Sequence, residues 1–387
     1  MVRIGLLGYG TVGQAFAALV AHQTRVPAEI AVALVRNADR RREGPSITLT
    51  HDPSAVVDRP DLDLVVDVMG GKDPARQLIV RALSHRKPVI SANKEVMAEH
   101  GPELLELARR YDVSLSYEAA VGGGIPLLEP LVSHFAAAPV TQVVGILNGT
   151  TNYILSRMES GDAANRALAQ AQALGYAEAD PTADLDGMDV LRKLSLVIGA
   201  LFAPVKNVNQ IPRLGLDDYL PMAIRRVRAW GYRIKLLGRA ERGGGAQVWP
   251  TLVPEGHRLA AISGVHNLVG VEVFGQWFWM EGAGAGGQAT ALSLLADLYR
   301  GYRFGFRAGR LEYPTPLETR PLIGRWLAFG IDPDRPLSRF HSLPGSIIEP
   351  EYIVTPPVDQ PQIARWLSDN SGLIAYPLFT DNQQGGP

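Results

Sequence analysis

The chain has 387 residues, 46% hydrophobic and 20% charged, with a formal net charge of -1; this permits a large core and excludes wholesale disorder, a basic nucleic-acid face and a polybasic membrane segment. Cysteine is absent, so disulfides, thiolate metal sites and thioester chemistry are excluded. The histidines show no H-E-x-x-H spacing, no apolar run is long enough to span a bilayer and the N-terminus does not read as a signal peptide, so no zinc site and a cytoplasmic location are expected. At roughly 150 residues per domain, two or three domains are expected.

The first 120 residues alternate between strand and helix patterns. Val2 to Leu7 is a short apolar run ending at glycine, and Thr11 to His22 reads as a helix. Further strands are expected at 29–35, 63–69, 88–91 and 114–118, with helices at 74–83 and 95–111. This alternation predicts a doubly wound parallel sheet of the Rossmann kind, α/β in class. The middle section reads as α+β. An Ala-rich helix is expected at 163–174, a second helix with one apolar face at 189–202, and strands at 141–147, 232–240, 247–253 and 269–274. Gly282 to Gly287 then leads into a helical run, 289–299. From Pro314 onward the chain holds 12 of its 28 prolines, which predicts an irregular, Pro-rich C-terminal tail of short pieces. The last residues, DNQQGGP, are expected to be disordered.

Two segments carry chemistry. Gly8-Tyr9-Gly10-Thr11-Val12-Gly13 matches G-x-G-x-x-G between a predicted strand and a predicted helix. There the first glycine permits the turn, the second admits a pyrophosphate, the third allows close helix packing, and the helix N-terminus faces the phosphates. At the end of the second strand, where an acid would bind a ribose 2′-hydroxyl, stands Arg36, followed by Arg40, Arg41 and Arg42. A cation there suits a 2′-phosphate, so NADP is expected over NAD, with a solvated basic loop as the plainer reading. The second segment, 175–193, crowds Glu178, Asp180, Asp184, Asp186 and Asp189 ahead of Lys193. Asp189 and Lys193 are four apart on a helix and share a face. Such a cluster can hold an amino-acid zwitterion, with the lysine protonating a nascent alkoxide; a surface ion pair is the plainer reading.

Together these stretches resemble the homoserine dehydrogenase family. The likeness runs through GLLGYGTVG, GGKDPA at 70–75, SANKEVMAEHG at 91–101, YEAAVGGGIPLLEPL from 117, GILNGTTNYIL from 145, LGYAEADPTADLDGMDVLRKL from 174 and GAGAGGQATA from 282. The resemblance implies reversible reduction of L-aspartate 4-semialdehyde to L-homoserine with NAD(P)H, on the route to threonine, methionine and isoleucine. It implies that Lys193 donates the proton and that Lys94 lies near the cofactor and the reacting carbon. Glu178 and Asp189 would contact the substrate, with Asp184 a further acidic site residue. Gly8, Gly10, Thr11, Val12, Gly13, Ser91, Lys94, Gly175 and Gly286 would meet the cofactor. A monovalent cation, usually sodium, would sit on carbonyls at Glu118, Val121, Gly123 and Ile125, and Asn148 to Asn152 would lie close to the substrate.

The domains implied are 1–135 with about 281–300 for NADP, 136–280 for substrate binding and dimerisation, and 301–387 as an extension of unknown role. A homodimer without nucleic-acid or membrane partners is expected. Many relatives carry a threonine-sensing ACT domain of βαββαβ order; the proline-rich tail fits one poorly, and removing it is expected to spare the active site. No kinase segment precedes the glycine loop, so a monofunctional chain is expected. The alternatives are another Rossmann-type oxidoreductase, which has no reason to keep the 175–189 segment, and a non-catalytic NADP-binding regulator, indifferent to Lys193. Arg300, Arg303, Arg307 and Arg310 read as a solvated face, and Phe274, Trp277, Phe278 and Trp279 as core or interface aromatics.

Overall fold

The computed structural model describes residues 1–37, 45–135, 137–308, 322–332 and 336–380. The chain divides into two units. The first comprises Met1–Ala137, Ser195–Val208 and Gly282–Pro316; the second comprises Ala138–Leu194, Asn209–Glu281 and Leu317–Pro387.

The first unit is built on six strands: β1 (Val2–Leu7), β2 (Ala28–Leu34), β3 (Leu49–Thr50), β4 (Leu64–Asp67), β5 (Val89–Ser91) and β6 (Leu115–Ser116). All pair in parallel, in the order β3-β2-β1-β4-β5-β6. This is the doubly wound arrangement, whose strand order reverses beside β1 and opens a crevice at the strand C-termini. Strand β3 escaped the sequence reading because two residues carry no periodicity. Ile4 and Leu6 of β1 pack with Phe16, Ala17 and Val20 of the helix Thr11–His22. Ala291, Leu294 and Leu298 of the helix Gly287–Phe304 complete the same core. These positions follow helical spacing, so each helix buries one stripe.

The second unit carries β7 (Val140–Ile146), β8 (Tyr232–Glu241), β9 (Ala246–Pro254), β10 (His266–Val273) and β11 (Gln276–Ala283) in the order β11-β10-β7-β8-β9. The pairs of β7 with β8 and β10, and of β8 with β9, are antiparallel. Strand β11 was not anticipated. Phe274 and Gly275, both at positive φ, make the two-residue turn before it, as tight hairpins require. Trp277 and Trp279 stack with centroids 5.1 Å apart and pack on the sheet core, whereas Phe274 is exposed. Gly238 on β8 has Val190 and Leu194 within 3.4 Å of where a Cβ would stand; its bareness lets the helix beginning at Met188 lie close on the sheet.

The tail is more ordered than its composition suggests. Strands β12 (Trp326–Gly330), β13 (Ile347–Ile348), β14 (Ile353–Val354) and β15 (Leu373–Pro377) form an antiparallel sheet in the order β13-β14-β12-β15. The helix Gln360–Asp369 covers it with Ile363 and Trp366, and starts on an Asp359–Gln362 capping box. The pieces are short, as expected, yet they share a core of Trp326, Ala328, Ile353 and Leu373. The prolines bound the elements instead of breaking them: Pro361 lies in the first helical turn and Pro377 ends β15, where a missing N–H costs least. Between β12 and β13 the described residues hold a 3-10 turn, Leu337–Arg339, and no α-helix, so they do not complete a βαββαβ unit. The sheet is fixed to the rest of its unit by Phe379 N–H donating to the Leu252 carbonyl (2.8 Å) and by the Tyr376 hydroxyl donating to Asp217 (3.0 Å). Among the described residues no helix is long and apolar enough to cross a membrane. Arg40 to Arg42, Arg310 and residues 381–387 lie outside the described residues.

Candidate active site

In the first unit the three glycines of the loop play three different parts. Gly8 sits at φ +98°, and a Cβ there would stand 3.0 Å from the Val68 carbonyl oxygen. A Cβ on Gly13 would stand 2.6 Å from the Gly8 carbonyl, so only glycine lets the helix start this close to β1. Gly10 has nothing within 4 Å of a Cβ. It precedes Thr11 and Val12 at the start of a helix without a side-chain cap. Free amides at a helix N-terminus beside open backbone suit a pyrophosphate. The residues therefore fit a dinucleotide. Arg36 is exposed two residues beyond β2 and follows Val35, whose carbonyl meets the His51 ring at 3.0 Å. Gly286 caps the helix Gly287–Phe304 at φ +120°, and a Cβ on Gly287 would stand 2.9 Å from Thr11 Cγ2, so this segment lies against the loop.

Ser91 ends β5 fully buried, its hydroxyl donating to Asp67 (2.8 Å). Asn93 caps the helix Lys94–Tyr111 by accepting from Val96 N–H (3.1 Å), and Lys94 is the first residue of that helix. Sequence reasoning missed Asp67 and Asn93. The signal for Asp67 was an acid ending an otherwise apolar strand.

The turn 118–125 also belongs to this unit. Glu118 spends its carboxylate on the helix Leu128–Ser133, accepting from the amides of Leu127, Leu128 (2.9 Å) and Glu129 (2.7 Å). Burial pushes its pKa up, against the pull of those amides. Its own N–H donates to Asp297 (3.1 Å), and Ser293 donates to the Gly123 carbonyl (2.6 Å). Asp297 is held far above the carboxylate range by burial and by Glu118. Arg300 pairs with Asp297 and Glu129, so it is not part of a solvated face; Arg303 is exposed. Gly122 and Gly123 are both left-handed, and a Cβ on Gly123 would collide with Ala283 and Gly284. Among the described residues no group of three or more His, Asp or Glu could hold a metal. What the turn offers a hard cation is the kind of oxygen it prefers, backbone carbonyls, at Glu118, Val121, Gly123 and Ile125, all buried.

The second unit holds the acid–lysine cluster. Lys193 is 7% exposed and Asp189 2%, which rules out the surface ion pair. The Lys193 ammonium meets Asp189 Oδ2 at 2.8 Å and donates to the Leu147 carbonyl at 2.8 Å. An ammonium has three donors, so one has no partner among the described residues. Asn148 donates from its amide to Asp189 (2.8 Å) and Asp184 (2.7 Å), while its oxygen accepts from Thr151 N–H and caps the helix Gly149–Glu159. One side chain thus ties Asp184, Asp189 and a helix start together. Asn152 instead braces the fold, donating to the Gly264 carbonyl (3.0 Å). Glu178 is exposed and its carboxylate has no partner among the described residues. Asp180 and Asp186 serve locally: Asp180 accepts from Thr182, which lowers its pKa, and Asp186 pairs with Arg213 (2.6 Å). Gly175, at φ +74°, ends the helix Ala164–Ala173 in this unit, the usual left-handed stop.

The comparisons with known proteins give the family. Residues 8–118 match the model for the homoserine dehydrogenase NAD-binding domain, and residues 126–299 the model for homoserine dehydrogenase. A homoserine dehydrogenase of Synechocystis is 41% identical over 309 residues, 75% of this chain and 71% of that protein. One from Bacillus subtilis is 36% identical over 312 residues, 77% of this chain and 72% of that protein. The chain belongs to the homoserine dehydrogenase family. The crystal structure of a homoserine dehydrogenase from Thiobacillus denitrificans superposes with a TM-score of 0.84 at 30% identity, covering 98% of each chain. The activity is that of the family: a nicotinamide-dependent oxidoreductase interconverting L-aspartate 4-semialdehyde and L-homoserine.

Proposed function

We propose that the chain acts as an NADP-preferring homoserine dehydrogenase in which Lys193 moves the proton. The observation that carries this reading is the buried Lys193 ammonium, held by Asp189 and the Leu147 carbonyl with one donor left over. The nicotinamide, when bound, supplies or takes the hydride. Lys193 gives its free proton to the alkoxide oxygen in reduction and takes it from the hydroxyl in oxidation. Asp189 keeps the lysine aimed, and Asn148 keeps Asp189 in place. Glu178 and Asp184 accept from the substrate ammonium. Lys94 adds positive charge where negative charge develops.

On the same reading Gly8, Gly10, Thr11, Val12 and Gly13 cradle the pyrophosphate, with Ser91, Lys94, Gly175 and Gly286 as further cofactor contacts. The carbonyls at Glu118, Val121, Gly123 and Ile125 hold a sodium-like cation that stiffens the turn. Residues 1–135 with about 281–300 serve the cofactor, and 136–280 serve substrate binding and dimerisation in a cytoplasmic homodimer. Arg36 carries the NADP preference through its charge on the 2′-phosphate. Exchanging it for aspartate tests this: Arg36→Asp should lower kcat/KM with NADP about 10- to 100-fold, the loss of one charge-assisted hydrogen bond, and spare NAD. Equal losses with both cofactors would reject the role.

A further inference from the structure

We propose that Asp67 is a positioning residue for Lys94, acting through a closed ring of buried hydrogen bonds with Ser91 and Asn93. The proposal rests on the reading of Lys94 as a residue of the reacting centre.

Strand β4 is apolar until its last residue: Leu64, Val65 and Val66 are fully buried, and so is Asp67. A carboxylate in such a place is costly unless hydrogen bonds compensate it. Among the described residues no cation pairs with Asp67. Its Oδ1 accepts from the amide of Met69 (3.0 Å) and its Oδ2 from the hydroxyl of Ser91 (2.8 Å). The Ser91 oxygen in turn accepts from the amide of Asn93 (3.0 Å). The Asn93 side chain donates to the carbonyls of Met69 (3.2 Å) and Gly71 (2.8 Å), back on the segment that Asp67 anchors. Its remaining oxygen accepts from Val96 N–H and so sets the first turn of the helix that Lys94 opens. The ring has no loose end.

The choice of a carboxylate follows from polarity. Asp67 accepts twice and donates nothing, so the Ser91 hydroxyl must turn its proton to Asp67 and keep a lone pair for Asn93. An asparagine at 67 would present an N–H to Ser91 and reverse that bond. Burial pushes the Asp67 pKa up to about 6, which leaves the carboxylate ionised at neutral pH. Because Asn93 immediately precedes Lys94, any relaxation of the ring moves the backbone that carries the lysine. Misplacing a reacting group by about 1 Å costs on the order of 100-fold in rate.

Single-turnover reduction of aspartate 4-semialdehyde by bound NADPH, in the wild type, Asp67→Ala, Lys94→Ala and the double variant, tests the proposal. Asp67→Ala is expected to slow turnover about 100-fold, a larger loss than in NADPH affinity, and the double variant to be no slower than Lys94→Ala. Losses that multiply in the double variant would overturn it, as would a wild-type rate in Asp67→Ala alongside an impaired Lys94→Ala. A wild-type rate in Lys94→Ala would overturn the proposal together with the role of Lys94. Should Asp67→Ala not fold, Asp67→Asn keeps the volume and the acceptor for Met69. Its kcat should fall by more than KM for NADPH rises, and an unchanged kcat in folded Asp67→Asn would overturn the proposal.

Discussion

At the scale of residues, two buried carboxylates meet different fates. Asp189 faces an ammonium 2.8 Å away. Among the described residues Asp67 faces only neutral donors, and burial raises its pKa to about 6. The sign of the consequence follows. An acid whose folded pKa lies above its unfolded value binds more protons in the native state. Its contribution to stability is therefore largest below the unfolded value near 4 and is lost as pH rises toward 6, by up to about 3 kcal/mol. Asp67→Asn removes this slope. Melts of the two proteins between pH 4 and 7 should show the variant gaining on the wild type as pH rises, and parallel curves would contradict the assignment. The glycine loop and the Asp189–Lys193 spacing were legible in the sequence, because motif and period are local. Asn148 as the bridge between Asp184 and Asp189 was not, because 36 and 41 residues of chain separate the partners.

At the scale of elements, the pattern located the parallel strands and their helices, since buried strands and striped helices leave a period behind. It failed where the element is too short, as in β3, or where aromatic residues suggested packing before pairing, as in β11. Glu118 shows a further limit. The resemblance assigns a cation to its backbone carbonyl and says nothing of its side chain, which caps a six-residue helix. Glu118→Ala should leave two buried amides and one half-buried amide without their acceptor and cost about 3 kcal/mol, read as a lower midpoint in urea. An unchanged midpoint would show that water or neighbouring groups replace the carboxylate.

At the scale of the whole molecule, the tail matters more than its composition implied. Its sheet shares aromatic packing with the second unit, with Trp326 edge-on to Trp249 and Phe329 beside Trp230. The unit it fastens to also holds Lys193. Removing the chain after about residue 312 would uncover Leu252 and Trp249, so truncation is expected to destabilise the second unit instead of sparing the active site. A Tyr376→Phe variant probes the same tie more gently. It should lower stability by about 1–3 kcal/mol by leaving Asp217 short of a donor, and an unshifted melting temperature would contradict that. The central claim is that a buried lysine in this family's fold moves the proton. NADP-dependent oxidation of L-homoserine by the wild type and Lys193→Ala, with NADPH binding followed by its fluorescence, tests it most directly. The account predicts steady turnover by the wild type, a loss of about 100- to 10,000-fold in the variant and nearly equal NADPH affinity. Turnover retained by a folded Lys193→Ala would contradict it.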